Sequence, residues 1–209
     1  MFQILALITN KKYWLVHSIL IKYILKLYGI KIGKNFYCEG IPELKIRGKA
    51  SDIYIGNNVS FLGNIDIRNR ESGKIIIKDN VSIDNYTRLV SANNAKLTIG
   101  ENTSIGPFCI FNCGTDVTIG KDCLISGQIY IQSSEHGFAQ GNLISKQKHS
   151  YGEIIIENDC WIGANAMIAK NVTLGKGSVV GAKSFLRNVN YTENSIIVGS
   201  PSKKIGIRK

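Results

Sequence analysis

Residues 97–111 read LTIGENTSIGPFCIF, and apolar side chains recur in them at every sixth position, at Ile99, Ile105 and Phe111. A small or β-branched residue follows four positions after each of the first two. Six is not near a multiple of the 3.6 residues of a helical turn, so this spacing excludes one face of an α-helix. A unit of six residues with one inward side chain predicts a short strand followed by a turn.

The same spacing extends over most of the chain and groups into triplets. Successive triplets begin 22, 22, 20, 37 and 18 residues apart. Three strands and three turns per unit are typical of a triangular β-helix. Six coils stacked about 4.8 Å apart would form a prism roughly 29 Å tall. We expect Gly or Asn at the corners, where a positive φ is needed. The eighteen predicted inward residues are Ile55, Phe61, Ile67, Ile77, Ile83, Leu89, Ile99, Ile105, Phe111, Ile119, Ile125, Ile131, Ile156, Ile162, Ile168, Leu174, Val180 and Leu186.

The repeat divides the chain into three expected regions. Residues 1–34 form an N-terminal helical segment, residues 35–188 form the β-helix with a loop inserted at 132–153, and residues 189–209 form a C-terminal tail. In the first region, the apolar stretch from Tyr13 to Tyr28 predicts a helix. Two alternatives remain open for it: packing on the prism base or a neighbouring subunit, or lying on a membrane surface.

The net charge of +11 is concentrated at the two ends of the chain. Residues 1–34 hold six Lys and no acidic residue, and residues 170–209 hold eight basic residues and one acidic residue. Because the middle is slightly acidic, we expect no nucleic-acid partner and instead an anionic ligand at the C-terminal end. The longest uncharged N-terminal stretch, Met1–Asn10, is too short to span a bilayer. Five cysteines without a C-x-x-C pair indicate a reducing cytoplasm.

The 37-residue spacing marks the one long interruption of the repeat. Function tends to be located where a regular scaffold is interrupted, and a loop this long is usually functional or disordered. His136 lies five residues after the inward Ile131, and a neutral His is the natural base for a hydroxyl near pH 7. We therefore predict that His136 is catalytic and that the adjacent Glu135 orients its ring. His149, further along the loop, is interpreted as a solvated side chain.

The stretch from Ile154 to Val189, IIIENDCWIGANAMIAKNVTLGKGSVVGAKSFLRNV, and the closing IIVGSPSKKI carry a family resemblance. The chain resembles the hexapeptide-repeat acyltransferases, in particular the sugar O-acetyltransferases that modify bacterial surface polysaccharides. The resemblance implies a single-stranded, left-handed parallel β-helix and a homotrimer. It also implies acetyl-CoA in the groove between two prisms, no metal, and a cytoplasmic enzyme, with the inner face of the membrane kept as a location.

The resemblance also implies roles for individual residues. His136 is similar to a general base, the backbone N–H of Ala164 to an oxyanion donor, and Asn112 to a residue that positions the acceptor. Trp161 is similar to a wall residue that contacts substrate and cofactor beside the reacting centre. Two structural alternatives stay open, Asn112 as a corner residue and Trp161 as a cover of the prism edge. The other implied cofactor contacts are Gly163, Ala182, Lys183, Arg187, Lys203 and Lys204.

The predicted function is transfer of an acetyl group from acetyl-CoA to a sugar hydroxyl of a cell-surface polysaccharide or its precursor. The first alternative is N-acylation of an amino sugar on a nucleotide, which a base at the same place would serve. A metal hydratase is disfavoured because it needs three converging His ligands, and one of the three histidines, His17, lies in the predicted helix. A non-catalytic β-helix that serves binding or assembly is the remaining alternative.

Overall fold

The structure, a computed structural model, describes residues 2–9 and 12–209. Two helices, α1 (Phe2–Ile8) and α2 (Lys12–Leu27), precede a β-helix of mostly parallel strands. The strands of the first four coils are β1 (Lys31–Ile32), β2 (Tyr37–Cys38), β3 (Glu43–Ile46), β4 (Ile53–Ile55), β5 (Ser60–Leu62), β6 (Asp66–Asn69), β7 (Lys74–Ile77), β8 (Ser82–Asp84), β9 (Arg88–Ser91), β10 (Lys96–Ile99), β11 (Ser104–Ile105) and β12 (Ile110–Cys113).

The remaining strands build the upper coils and one hairpin. They are β13 (Val117–Ile119), β14 (Leu124–Ile125), β15 (Tyr130–Gln132), β16 (Ser134–His136), β17 (His149–Tyr151), β18 (Ile154–Ile156), β19 (Trp161–Ile162), β20 (Met167–Ala169), β21 (Val172–Leu174), β22 (Val179–Val180), β23 (Phe185–Leu186), β24 (Val189–Tyr191), β25 (Ser195–Val198) and β26 (Lys203–Ile207). Two short 3-10 helices occur at Ala50–Asp52 and Ile144–Lys146.

Each face of the prism is one sheet, because a strand pairs with the strand at the same place in the next coil. The first sheet runs from β1 to β24, the second from β2 to β26 and the third from β3 to β23. The register places Ile55 beside Ile77 and Ile77 beside Ile99. All eighteen predicted inward side chains are at most 3% exposed, so the predicted parallel β-helix and its core are confirmed.

The described residues form seven complete coils rather than the expected six. The additional coil is β1 to β3, which the sequence pattern misses because Cys38 occupies the inward position that Phe61 fills in the next coil. The chain also continues the coil beyond residue 188. Tyr191 aligns with Leu174 and Ile197 with Val180, so residues expected to form a tail add β24 and β25, and β26 then pairs antiparallel with β25.

Asparagine provides the positive φ at the corners, as expected, whereas the glycine that follows an inward residue has a different purpose. Asn80 has a φ of 59°, and its side chain accepts a hydrogen bond from Asn58 at 2.9 Å and donates one to Asn102 at 3.0 Å. Gly100 lies outside the left-handed region, but a Cβ there would meet the carbonyl carbon of Gly120 at 2.4 Å. The close approach of consecutive coils therefore requires this glycine.

Helix α2 covers the open edge of the first coil. Ser18 accepts a hydrogen bond from the Cys38 N–H at 2.8 Å, and His17 Nε2 lies 2.9 Å from the Gly40 carbonyl oxygen. Covering an edge in this way satisfies backbone groups that have no coil beneath them. The helix thus packs on the prism base, one of the predicted alternatives. Met1, Asn10 and Lys11 of the N-terminal predictions lie outside the described residues. Among residues 2–9 and 12–209, no helix has the length and apolar character needed to cross a membrane.

Candidate active site

The long insertion contains a hairpin that presents two histidines. Strands β16 and β17 pair antiparallel, with His136 opposite His149, and the two ring centroids are 3.9 Å apart. Both side chains are exposed. The interpretation of His149 as merely solvated is therefore incomplete, because its ring packs against that of His136. Strand alternation explains why the sequence did not reveal this contact between residues thirteen positions apart.

Glu135 does not contact the His136 ring that it was expected to orient. Its carboxylate instead accepts two hydrogen bonds of 2.6 Å from Arg187, and Lys170 lies 3.5 Å away. Successive side chains of a strand point to opposite faces, so Glu135 points to the coil while His136 points away from it. The hydrogen bonds from Arg187 lower the pKa of Glu135. The pair ties the hairpin to β23, and Arg187 is thereby engaged within the chain rather than free for a cofactor.

A cleft of about 540 Å³ lies beside the hairpin on the third sheet. His136, Asn112, Tyr130 and Gln132 all line it. Asn112 donates a hydrogen bond of 2.7 Å to Gln132 Oε1, and the Tyr130 hydroxyl donates to the same oxygen at 3.0 Å. The sequence analysis missed Tyr130 and Gln132. The signal that could have identified them is their position on either side of Ile131, the last inward residue before the insertion.

The predicted cofactor contacts Ala164 and Ala182 lie in turns between the second and third sheets. Lys183 has a φ of 58°, and its N–H donates to the Ala164 carbonyl at 2.9 Å, so consecutive coils stack these turns. Within the described part of the chain, the N–H groups of Ala164 and Ala182 have no acceptor. Gly163 packs closely, since a Cβ there would lie 2.6 Å from the Ala182 nitrogen.

Trp161 is half exposed on the second sheet, and its indole N–H donates to Ser126 at 3.2 Å. Lys203 and Lys204 are exposed on β26, where Lys204 donates a hydrogen bond to Thr192 at 3.0 Å. None of these side chains lines the cleft that contains His136. A single chain therefore presents the predicted base and the predicted cofactor contacts on different surfaces.

The five cysteines are all free and buried in the prism. Burial raises the pKa of Cys38 and of Cys109 to about 11 each. A thiol at such a pKa carries little thiolate near neutral pH, and the thiolate is the nucleophilic form. Their positions support the interpretation of small core residues. No group of three His, Cys, Asp or Glu side chains with metal-site geometry occurs within residues 2–9 and 12–209.

With this geometry in place, residues 153–188 match the family model described as bacterial transferase hexapeptide (six repeats). This chain carries the bacterial transferase hexapeptide repeat. The repeat protein is 26% identical over 144 residues to Escherichia coli K12 WbbJ, which is named as a lipopolysaccharide biosynthesis O-acetyl transferase. That match covers 65% of this chain and 73% of WbbJ.

Two further proteins resemble the repeat protein over most of their length. The galactoside O-acetyltransferase of Escherichia coli K12 is 27% identical over 198 residues, which cover 84% of this chain and 86% of that enzyme. The structure of AntD, an N-acyltransferase from Bacillus cereus in complex with dTDP and coenzyme A, superposes with a TM-score of 0.64 at 25% identity, covering 90% of this chain and 89% of AntD. The predicted resemblance to hexapeptide-repeat acyltransferases is confirmed, as is the prediction of an acetyl-transferring enzyme at the level of class.

Proposed function

We propose that this protein transfers an acetyl group from acetyl-CoA to a hydroxyl group of a saccharide that belongs to a cell-surface polysaccharide or its precursor. The observation that carries the proposal is the placement of His136. It is held on an anchored hairpin at the long break in the repeat and lines a polar cleft beside Asn112. The similarity to an enzyme named for lipopolysaccharide biosynthesis and to a galactoside O-acetyltransferase supports the choice of a saccharide acceptor.

The proposed mechanism is a direct transfer. His136 removes the proton of the acceptor hydroxyl as its oxygen attacks the thioester carbonyl carbon. The Ala164 N–H donates to the oxyanion that develops on that carbonyl. When the carbon–sulfur bond breaks, protonated His136 returns the proton to the leaving thiolate. Asn112, fixed by Gln132, holds the acceptor in the cleft. Because the described thiols are buried, no acyl-cysteine intermediate is invoked.

The residues near the corner fit acetyl-CoA as the donor. Two successive coils offer the N–H groups of Ala164 and Ala182, which suit the amide carbonyls of a pantetheine arm. Lys183 and Lys203 are exposed cations that suit the phosphates at the nucleotide end. The coenzyme A complex of AntD supports an acyl-CoA donor.

We further propose a homotrimer with a site shared between subunits. One chain separates His136 from Ala164 and Trp161, and a neighbouring prism placed against the cleft would complete the site. Light scattering coupled to size exclusion should give three times the chain mass of 23.1 kDa. A fully active monomer would refute the shared site.

The deciding experiment is incubation with labelled acetyl-CoA and a panel of acceptors, followed by mass analysis. The panel contains a lipopolysaccharide-derived oligosaccharide, a β-galactoside and a dTDP-linked amino sugar. We expect one acetyl group on a saccharide that mild base removes, as an ester requires. A base-stable acetyl on the amino sugar would instead favour N-acylation. If acetyl-CoA neither reacts nor shifts the melting temperature, the protein is a binding or assembly module.

We also propose that α1 and α2 dock on an anionic lipid bilayer, which would place the enzyme at the inner face of the cytoplasmic membrane. The helices leave large apolar side chains exposed, with Leu7 at 81%, Val16 at 71% and Leu27 at 89%. Exposed apolar patches of this kind mark interaction surfaces. Lys22 and Lys26 lie on the same helix, and residues 1–34 contain no acidic residue, so the charge suits anionic headgroups.

Vesicle co-sedimentation tests this docking surface. The wild-type protein should bind phosphatidylglycerol-containing vesicles and bind phosphatidylcholine vesicles less. A Val16→Glu/Leu20→Glu variant should lose binding, whereas Leu143→Glu, an exposed apolar residue in the inserted loop, should retain it. If the helix variant changes the oligomeric mass instead, the surface is a subunit contact and the lipid proposal fails.

A further inference from the structure

Two aromatic residues stack at the corner of the prism in a backbone conformation that bulky residues rarely adopt. Tyr86 has a φ of 57° and Phe108 a φ of 59°. Asn and Gly tolerate this region, while a bulky side chain there is an outlier. Their ring centroids are 5.3 Å apart with planes 21° from parallel, and the residues are 57% and 53% exposed. Strained residues of this kind cluster at ligand sites.

The pair borders a second cleft of about 390 Å³ on the third sheet. Arg88 and Ile110 line it, and each lies two residues before a residue that lines the cleft of His136, namely Val90 and Asn112. Alternate residues of a strand share a face, so the two clefts are about 7 Å apart on one surface. The aromatic pair can therefore engage part of a molecule that also reaches His136.

The pair also occupies the same corner as the proposed donor contacts. The Phe108 N–H donates to the Asn85 carbonyl of the coil below, as the Lys183 N–H donates to Ala164. Ala164 belongs to the sixth coil, Phe108 to the fourth and Tyr86 to the third. With about 4.8 Å per coil, the aromatic rings lie roughly 10–14 Å below Ala164 along the prism. The donor takes the upper coils, so the lower coils of this corner are left for the acceptor.

The charges of the second cleft favour a neutral, hydroxyl-rich ligand over a nucleoside diphosphate. Its lining contains the carboxylates of Glu43 and Asp66 and the single guanidinium of Arg88. Asp66 already accepts hydrogen bonds from Arg88 at 2.9 Å and from Arg68 at 2.8 Å. No lysine lines this cleft, and a diphosphate would face two carboxylates.

From these observations we infer that Tyr86 and Phe108 form a stacking platform for a saccharide ring of an extended acceptor, one that lies away from the acetylated sugar. This inference rests on the proposed function and sharpens it, because it makes an oligosaccharide or polymer a better acceptor than a single sugar. The apolar face of a pyranose ring stacks on an aromatic ring, and mixed aromatic and polar linings are typical of ligand sites.

Calorimetric titration with galacto-oligosaccharides of one to six units tests the platform. Affinity should rise with length in the wild-type protein. Tyr86→Asn and Phe108→Asn should each weaken binding of the longer oligomers at least about ten-fold and leave the shortest unaffected. Because Asn165 adopts the same conformation at the same corner, these variants should melt at the same temperature as the wild type or higher. Tyr54→Ala, a part-exposed tyrosine on the first sheet, is the matched control and should bind normally.

Three results would overturn the platform: affinity that does not depend on length, tighter binding of dTDP than of any oligomer, or a changed oligomeric mass in the Asn variants. The last would identify the pair as a subunit contact. Acetyl transfer is measured separately on the same oligomers. Length-dependent binding without any acetyl transfer would refute the proposed function and leave the platform standing, so the two failures are distinguishable.

Discussion

Replacement of His136 by Ala separates catalysis from architecture in this molecule. A positioned general base contributes about 10²–10⁴-fold to a rate, so kcat should fall by that factor. In free energy this is about 2.7–5.4 kcal/mol of transition-state stabilisation, at 1.36 kcal/mol per factor of ten. Binding of acetyl-CoA should survive, since the proposed donor contacts at Ala164 and Ala182 lie on a different surface.

The same substitution should leave stability almost unchanged. The His136 side chain is exposed, and within the described residues its recorded partner is the His149 ring, so its removal leaves no buried polar group unpaired. Surface substitutions of this kind change the free energy of unfolding by about 0.5 kcal/mol or less. For a chain of this size that corresponds to a shift of at most about 2 °C in melting temperature.

His149→Ala is the matched control, because it removes the same ring contact from the opposite strand of the hairpin. The assay follows release of the coenzyme A thiol in the presence of the acceptor, with the melting temperature measured on the same samples. We expect His149→Ala to lose less than about ten-fold in kcat. Retention of more than a tenth of kcat by His136→Ala, or equal losses in both variants, would refute His136 as the base.

Three other substitutions test the anchoring of the hairpin, the corners and the core. Glu135→Gln should lower kcat about ten-fold with little change in the KM for acetyl-CoA, because the hairpin loses its ion pair with Arg187; since that pair lowers the pKa of Glu135 below its ordinary 4.5, anchoring should persist above that pH and fade as the pH falls through the lowered pKa, which hydrogen exchange of the hairpin amides would show. Asn80→Ala should be less stable than Asn80→Gly by about 0.5–1 kcal/mol in denaturant unfolding, because Ala pays for the left-handed backbone while both lose the side-chain ladder. Phe111→Ala empties a fully buried position and should cost about 3–5 kcal/mol in the same measurement, and a loss below 1 kcal/mol would contradict the core assignment.

Much of the scaffold was predictable because the repeat is local. A residue such as Ile105 reports its own inward position through its six-residue spacing, and every coil repeats the same statement. Prediction weakened where one residue broke the pattern, as Cys38 did in the first coil. It also weakened where Tyr191 and Ile197 continued the columns with different spacing. These are differences of residue type rather than of fold, and alignment of successive coils would have revealed them.

The candidate site was less predictable because its contacts join residues that are distant in sequence. The pairing of Glu135 with Arg187 spans 52 positions, and neither residue has a pattern that indicates the other. The single chain also reveals half of the proposed reaction centre only, since His136 and Ala164 lie on different surfaces. A motif can name such residues, but their meeting depends on subunit geometry that one chain does not contain.

The basic C-terminal region acquires a direction once its ion pairs are assigned. Arg187 is engaged by Glu135 and Arg208 by Asp159 at 2.9 Å, so these two cations hold the structure together. Lys183 and Lys203, both exposed in the last coils, are the cations best placed for an anionic donor. The acidic lining of the aromatic cleft lies several coils below. Donor and acceptor are thus drawn to opposite ends of one corner, which leaves the catalytic hairpin between them.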